Sequence, residues 1–233
     1  MHHTLTIDIH SRHAPRTLVA AIIAVGAMAF AAHSANAQAC LSEDCLPPAS
    51  SAYNGSGNHH FAGLGVTADL GGLSLHGFSS CSAVPASVPS TSTTSSFTAT
   101  MDYSFSLNGG APTIGQSPAN ATILVTFNHL AAPTRFFDTE MLQLDISGGN
   151  LPSGTLVRES PTLASSGQTM IQDLGGGMFK IDSFFDVFFE LSLDGGVNWI
   201  PESNGPGHLS LSGPGCPTPN RRTTWGQLKI IYR

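Results

Sequence analysis

Phe97-Thr98-Ala99-Thr100-Met101-Asp102-Tyr103-Ser104-Phe105-Ser106-Leu107 alternates apolar and polar side chains without a break. Successive side chains of an extended chain point to opposite faces, so this stretch has one apolar face and one built from hydroxyls and a carboxylate. The same period returns in Ala121, Ile123, Val125 and Phe127, in Leu142, Leu144 and Ile146, and in Phe179 with Ile181. It continues through Phe185, Val187, Phe189, Leu191 and Leu193, then Leu209 with Leu211, and closes with Leu228, Ile230 and Tyr232. Asn108-Gly109-Gly110, Ser147-Gly148-Gly149, Gly175-Gly176-Gly177 and Asp194-Gly195-Gly196 punctuate these runs as turns. The pattern predicts an all-β fold, an antiparallel β-sandwich or jelly-roll-like domain over 61–233.

Outward from that stretch, Phe61–Leu70 and Leu73–Phe78 flank Gly71-Gly72, which reads as a hairpin turn. Residues 79–96, with Pro85 and Pro89 in a Ser/Thr tract, read as a long loop, and 38–60 as a loop-like entry to the fold. Arg12 and Arg16 precede an apolar run from Leu18 to Ala32 and then Ala35-Asn36-Ala37. This is the pattern of a signal peptide over 1–37, too short and Ala-rich for a membrane anchor, and it predicts a secreted or extracytoplasmic protein with no transmembrane anchor after cleavage. Cleavage after Ala37 would remove two of the nine Lys and Arg residues and one of the fifteen Asp and Glu, leaving the remainder more acidic than the chain's formal −6. With scattered cations and no basic stripe, nucleic acid is excluded as a partner.

All four cysteines, Cys40, Cys45, Cys81 and Cys216, follow the cleavage site, an even number suited to two disulfides in an oxidising compartment. Of the three pairings, Cys40 with Cys45 and Cys81 with Cys216 is preferred here, since it closes one short loop and ties an early segment to a late one. Ala37-Gln38-Ala39 before Cys40 lacks the Leu of a lipidation signal. Leu107 to Val125 and Leu193 to Leu211 form a weak internal repeat, each copy a strand, a Gly-Gly turn, a Pro-containing loop and a strand.

Ser192-Leu193-Asp194-Gly195-Gly196-Val197-Asn198-Trp199 resembles the Asp-box hairpin of sialidases and other β-propellers, with Asn198 where Thr is usual. The resemblance implies a folding element in which Ser192 and Asp194 bond the turn, Gly196 shapes it and Trp199 packs beneath, and nothing catalytic. More broadly, Ile181 to Gly196, with the upstream Leu156 to Thr162, looks like segments of exported β-rich proteins of environmental bacteria. That resemblance implies a bacterial source and supplies no activity.

The candidate chemistry is sparse. Asp186 and Glu190 share a strand face with Phe184 and Phe188, but lie roughly 13 Å apart along the backbone, wide for a glycosidase pair. Arg158 is the candidate partner for a carboxylate there. His59, His60, His76, His129 and His208 have no tight ligand spacing, so no metal site is expected. Asp69, Asp138, Asp173 and Asp194 lie near Gly-rich turns and suit turn capping; no motif supports Ca²⁺, and no cofactor is expected. No Gly-x-Ser-x-Gly elbow is present. The expected function is a non-enzymatic surface, matrix or binding protein, with polysaccharide or a cell-surface protein as partner. The alternatives are a carbohydrate-binding module stacking sugars on Trp199 or Trp225, and a polysaccharide hydrolase using Asp186 and Glu190.

Overall fold

The computed structural model of the chain describes residues 38–42 and 44–215. The strands in chain order are β1 (Gln38–Leu41), β2 (Cys45–Leu46), β3 (Ala52–Gly55), β4 (Asn58–Gly63), β5 (Val66–His76), β6 (Ser82–Ala83), β7 (Ser92–Leu107) and β8 (Thr113–Ala131). They continue with β9 (Thr134–Ser147), β10 (Leu156–Glu159), β11 (Ser165–Gly175), β12 (Met178–Val187), β13 (Phe189–Ser192), β14 (Ile200–Pro201) and β15 (Gly207–Ser212). The fold is all-β, as the alternation predicts, but its main sheet closes on itself. From β3 the ladder runs through β5, β7, β8, β9, β11, β12 and β15 and back to β3, an eight-stranded barrel in which every neighbour is antiparallel. A sandwich or jelly roll would leave sheet edges at this point; closure removes them.

Four wall positions are filled by more than one strand placed end to end. Along β9, Thr134–Met141 pairs with β11 and Asp145–Ser147 with β10. Along β5, β4 continues β3. Strand β13 carries on from β12 past Phe188, and β14 precedes β15 across 202–206. An isolated bridge from Phe61 to Glu202 joins β4 to the segment after β14, completing the second half of the wall.

The apolar rows point inward and fill the barrel. Phe61, Phe137, Phe185, Phe189, Met101, Leu75, Ile123 and Leu144 are each below 2 % exposed. Eight strands give an interior just wide enough for such side chains, so the lumen is core rather than pore. The outward row of β7 is Ser92, Thr94, Ser96, Thr98, Thr100, Asp102, Ser104 and Ser106. A membrane-spanning barrel carries the opposite pattern, apolar outside and polar inside. No helix among the described residues is long and apolar enough to cross a membrane.

Several local expectations are corrected. Gly71-Gly72 is no turn: β5 continues through it, and the register against β7 shifts between Gly71 and Ser74, with Gly72 at φ +59°. A glycine pair absorbs such a bulge as readily as a turn. The hairpin there joins β4 to β5 at Leu64-Gly65. Segment 38–60 holds β1 to β3 and the start of β4, and β7 begins at Ser92 inside the expected loop. Leu142 is 44 % exposed because a bulge opposite Thr122 and Ile123 turns Met141 inward in its place. The preferred disulfide pairing is also replaced. Cys45 bonds Cys81, with Cα atoms 5.4 Å apart, where β2 pairs with β6. Cys40 is committed to β1, opposite Lys180, which carries it away from Cys45. It too is disulfide-bonded. Cys216, Trp225, the strand expected at Leu228 to Tyr232 and the signal peptide expected over 1–37 lie outside the described residues.

Candidate functional site

The outer wall across β8, β9, β11 and β12 sinks into a groove of about 500 Å³. Strand register assembles it from side chains far apart in sequence. Thr126 lies opposite Asp138, Asp138 opposite Gln168, and Gln168 opposite Phe184. One step along, Leu124 faces Glu140 and Glu140 faces Ser166, while Asp186 pairs across to His208. Gly167 is required on the floor, since a Cβ there would overlap the Phe184 carbonyl oxygen and lie 2.8 Å from Thr139 Oγ1.

The polar groups of the groove are held in place. Asn128 Nδ2 donates to Asp138 Oδ2 at 2.8 Å, and His208 Nδ1 donates to Asp186 Oδ1 at 2.7 Å. The His208 ring packs against Phe184 with centroids 5.1 Å apart. The result is an aromatic ring set among three carboxylates, an amide and hydroxyls. Such a surface offers apolar contact to C–H groups and acceptors and donors to O–H groups together.

Apart from Phe184, Asp186 and Asp138, the residues singled out by sequence lie elsewhere or are already engaged. Trp199 is half-buried, its indole Nε1 donates to the Gly196 carbonyl at 3.0 Å, and the Arg158 guanidinium sits 3.8 Å over its ring. One face is thus occupied by a cation–π contact rather than offered to a sugar. Arg158 also grips Glu190 Oε2 through Nε at 2.9 Å and a terminal nitrogen at 2.7 Å, and Ser160 Oγ donates to Glu190 Oε1 at 2.9 Å. Asp186 and Glu190 therefore have separate partners, on either side of the strand break at Phe188. Within the turn, Ser192 Oγ donates to Asp194 Oδ1 at 2.8 Å and accepts from the Gly196 N–H at 2.9 Å. Asp194 accepts from the Asn198 N–H at 2.9 Å and from its Nδ2 at 2.7 Å. These bonds, those of Asn198 first, hold the Asp194 carboxyl down to about 2.

Four of the histidines bridge strands to carboxylates: His59 to Glu202, His60 to Asp69, His76 to Asp102 and His208 to Asp186. His129 instead stacks on Phe136. The His59–Glu202 pair is the buried one, 2.8 Å apart with side chains 3 % and 4 % exposed. Asp173 Oδ1 caps the Gly175 N–H at 2.7 Å. Among the described residues, no three His, Cys, Asp or Glu side chains cluster as metal ligands.

Sequence reading placed Phe184 and Asp186 together and marked Asp138 only as a turn cap. It missed Glu140, Ser166 and Gln168. Their signal was present as outward parity on β9 and β11, but the register that brings them to Phe184 belongs to the closed wall. No protein-family model, curated protein or solved structure matches the chain.

Proposed function

We propose that the chain is an exported, non-enzymatic binding protein that holds carbohydrate in the groove around Phe184. The observation that carries this reading is the ring of Phe184 set beside Gln168, Asp138, Glu140 and Asp186 along one groove. Sugars present C–H patches and hydroxyls side by side, and a ring flanked by amide and carboxylate groups meets both. Export is supported by the Cys45–Cys81 disulfide, a bond that persists in oxidising compartments. Isothermal titration against a panel of soluble polysaccharides tests the proposal. Saturable binding weakened about tenfold or more by Phe184→Ala, with the fold intact, is the expected result. Binding indifferent to Phe184→Ala, or absent across the panel, refutes it.

A hydrolase reading is favoured by a different pair from the one the sequence suggested. Glu140 on β9 and Asp186 on β12 flank β11, two interstrand spacings or about 10 Å apart at the backbone. This backbone spacing is shorter than the roughly 13 Å between Asp186 and Glu190, and an inverting mechanism needs the two carboxyl groups themselves about 6.5–9.5 Å apart. Release of reducing ends from a bound polysaccharide, abolished by Glu140→Gln, would establish this reading in place of simple binding.

A further inference from the structure

The groove is one of three hollows in line along β8. The first, of about 400 Å³, lies at Gln116 and Pro118 with Thr100 and Asn150 beside them. The second, of about 320 Å³, lies at Asn120 and Thr122 with Ser96, Thr98 and Gln143. The third is the Phe184 groove itself, reached at Leu124 and Thr126. These β8 residues alternate with buried ones, so they form a single outward row. At strand rise the row is about 34 Å long, with neighbouring hollows about 14 Å apart.

The two added hollows are lined by hydroxyls and amides, with no Asp, Glu, Lys or Arg among their lining residues. In the second hollow the hydroxyls are fixed in place: Ser96 Oγ and Thr122 Oγ1 bond at 2.9 Å, and Thr122 Oγ1 donates to Gln143 Oε1 at 3.3 Å. Ordered donors and acceptors lose little freedom on binding. An extended peptide has no purchase here, because between Ala119 and Thr126 β8 is paired on both sides, with β7 and with β9. Strand addition needs an open edge.

We infer that the ligand is a linear, uncharged polysaccharide that runs along β8 across all three hollows, rather than a terminal or isolated sugar seated in the Phe184 groove. This inference rests on the carbohydrate reading of that groove. The probes are cello-, manno- and chito-oligosaccharides, each from dimer to hexamer, titrated calorimetrically into the protein and two variants. Asn120→Ala and Gln116→Ala alter exposed side chains away from the Phe184 groove. Affinity for one series should rise about tenfold or more from dimer to hexamer, and each substitution should weaken the hexamer several-fold while leaving the dimer unchanged.

Affinity independent of length and of both substitutions, yet lost on Phe184→Ala, overturns the linear reading and leaves the groove as a short-sugar site. Tighter binding of a charged series, glucosamine or galacturonic acid oligomers, overturns the uncharged reading. No binding of any oligosaccharide overturns this inference together with the carbohydrate reading.

Discussion

Gly207→Ala is expected to destabilise the barrel through one identifiable collision. Gly207 begins β15 directly beneath the His59 ring, and a Cβ at this position would lie 2.8 Å from His59 Nδ1, 2.9 Å from Phe189 Cε2 and closer still to His59 Cε1. Real Cβ contacts do not approach below 3.0 Å, so ring or strand must shift. The strand is held by β12 on one side and β3 on the other, which leaves the ring to move. Displacing it costs about 1–3 kcal/mol in overpacking. It also disturbs the 2.8 Å bond to Glu202, whose side chain is 4 % exposed, and a weakened bond to a buried charge adds about 1.5–3 kcal/mol. The expected loss is about 3–5 kcal/mol, or roughly 6–20 °C in Tm for a domain of this size. Urea unfolding followed by tryptophan fluorescence measures it, with Gly215→Ala as control because nothing lies within 4 Å of a Cβ there. In the double variant Gly207→Ala/His59→Ala the His59 part of the collision is gone and only the 2.9 Å approach to Phe189 remains, so the two penalties should fall well short of additive. A Gly207→Ala protein within about 1 kcal/mol of the parent, or strictly additive penalties, would refute the reasoning.

Replacing Cys45 and Cys81 together by Ser opens a loop with a sequence separation of 36 residues and should cost about 4 kcal/mol in the chain-entropy model, read from urea midpoints; an unchanged midpoint would show that the bridge adds nothing. The Glu159 carboxyl is pushed up from 4.5, chiefly by burial. The folded state therefore binds that proton more tightly than the unfolded chain, and stability declines as pH rises from about 4.5 through the raised value. Glu159→Gln should flatten that slope and stabilise the protein at neutral pH; an unaltered slope contradicts the assignment. Asp194 has the opposite sign, its carboxyl held down to about 2 from 3.8. Its turn contacts persist above the ordinary value and are lost as pH falls toward 2, so the Trp199 signal should titrate in that window and cease to do so in Asp194→Asn.

The strands were legible wherever alternation ran long. Phe97 to Phe105 and Ala121 to Phe127 read correctly because each inward residue is apolar and each outward one on β7 polar, whereas Leu107, at the end of the alternation, is 41 % exposed. Reading failed where one residue breaks the period: the bulge at Leu142 swaps Met141 inward, and Gly71-Gly72 bends a strand that composition marks as turn. Closure itself has no local signature. It follows from β3 finding β15 and β11 finding β9, pairings between segments that do not advertise each other, whereas β11 and β12 meet as a hairpin at the Gly175-Gly176-Gly177 turn. The same limit hid most of the groove. Phe184 and Asp186 stood out as neighbours on one face, whereas Asp138, Glu140 and Gln168 join them only through register across three strands.

The strict inside–outside alternation of β7 and β8 separates two kinds of evolutionary constraint. Residues such as Met101, Ile123 and Val125 answer to packing, where even one methylene is felt. Ser96, Thr98, Asn120 and Thr122, on the other face of the same strands, answer to their neighbours across the sheet surface and to what they meet outside. The outward rows can therefore change one residue at a time while the core stays fixed, so a new surface chemistry could arise on this barrel without passing through an unstable intermediate.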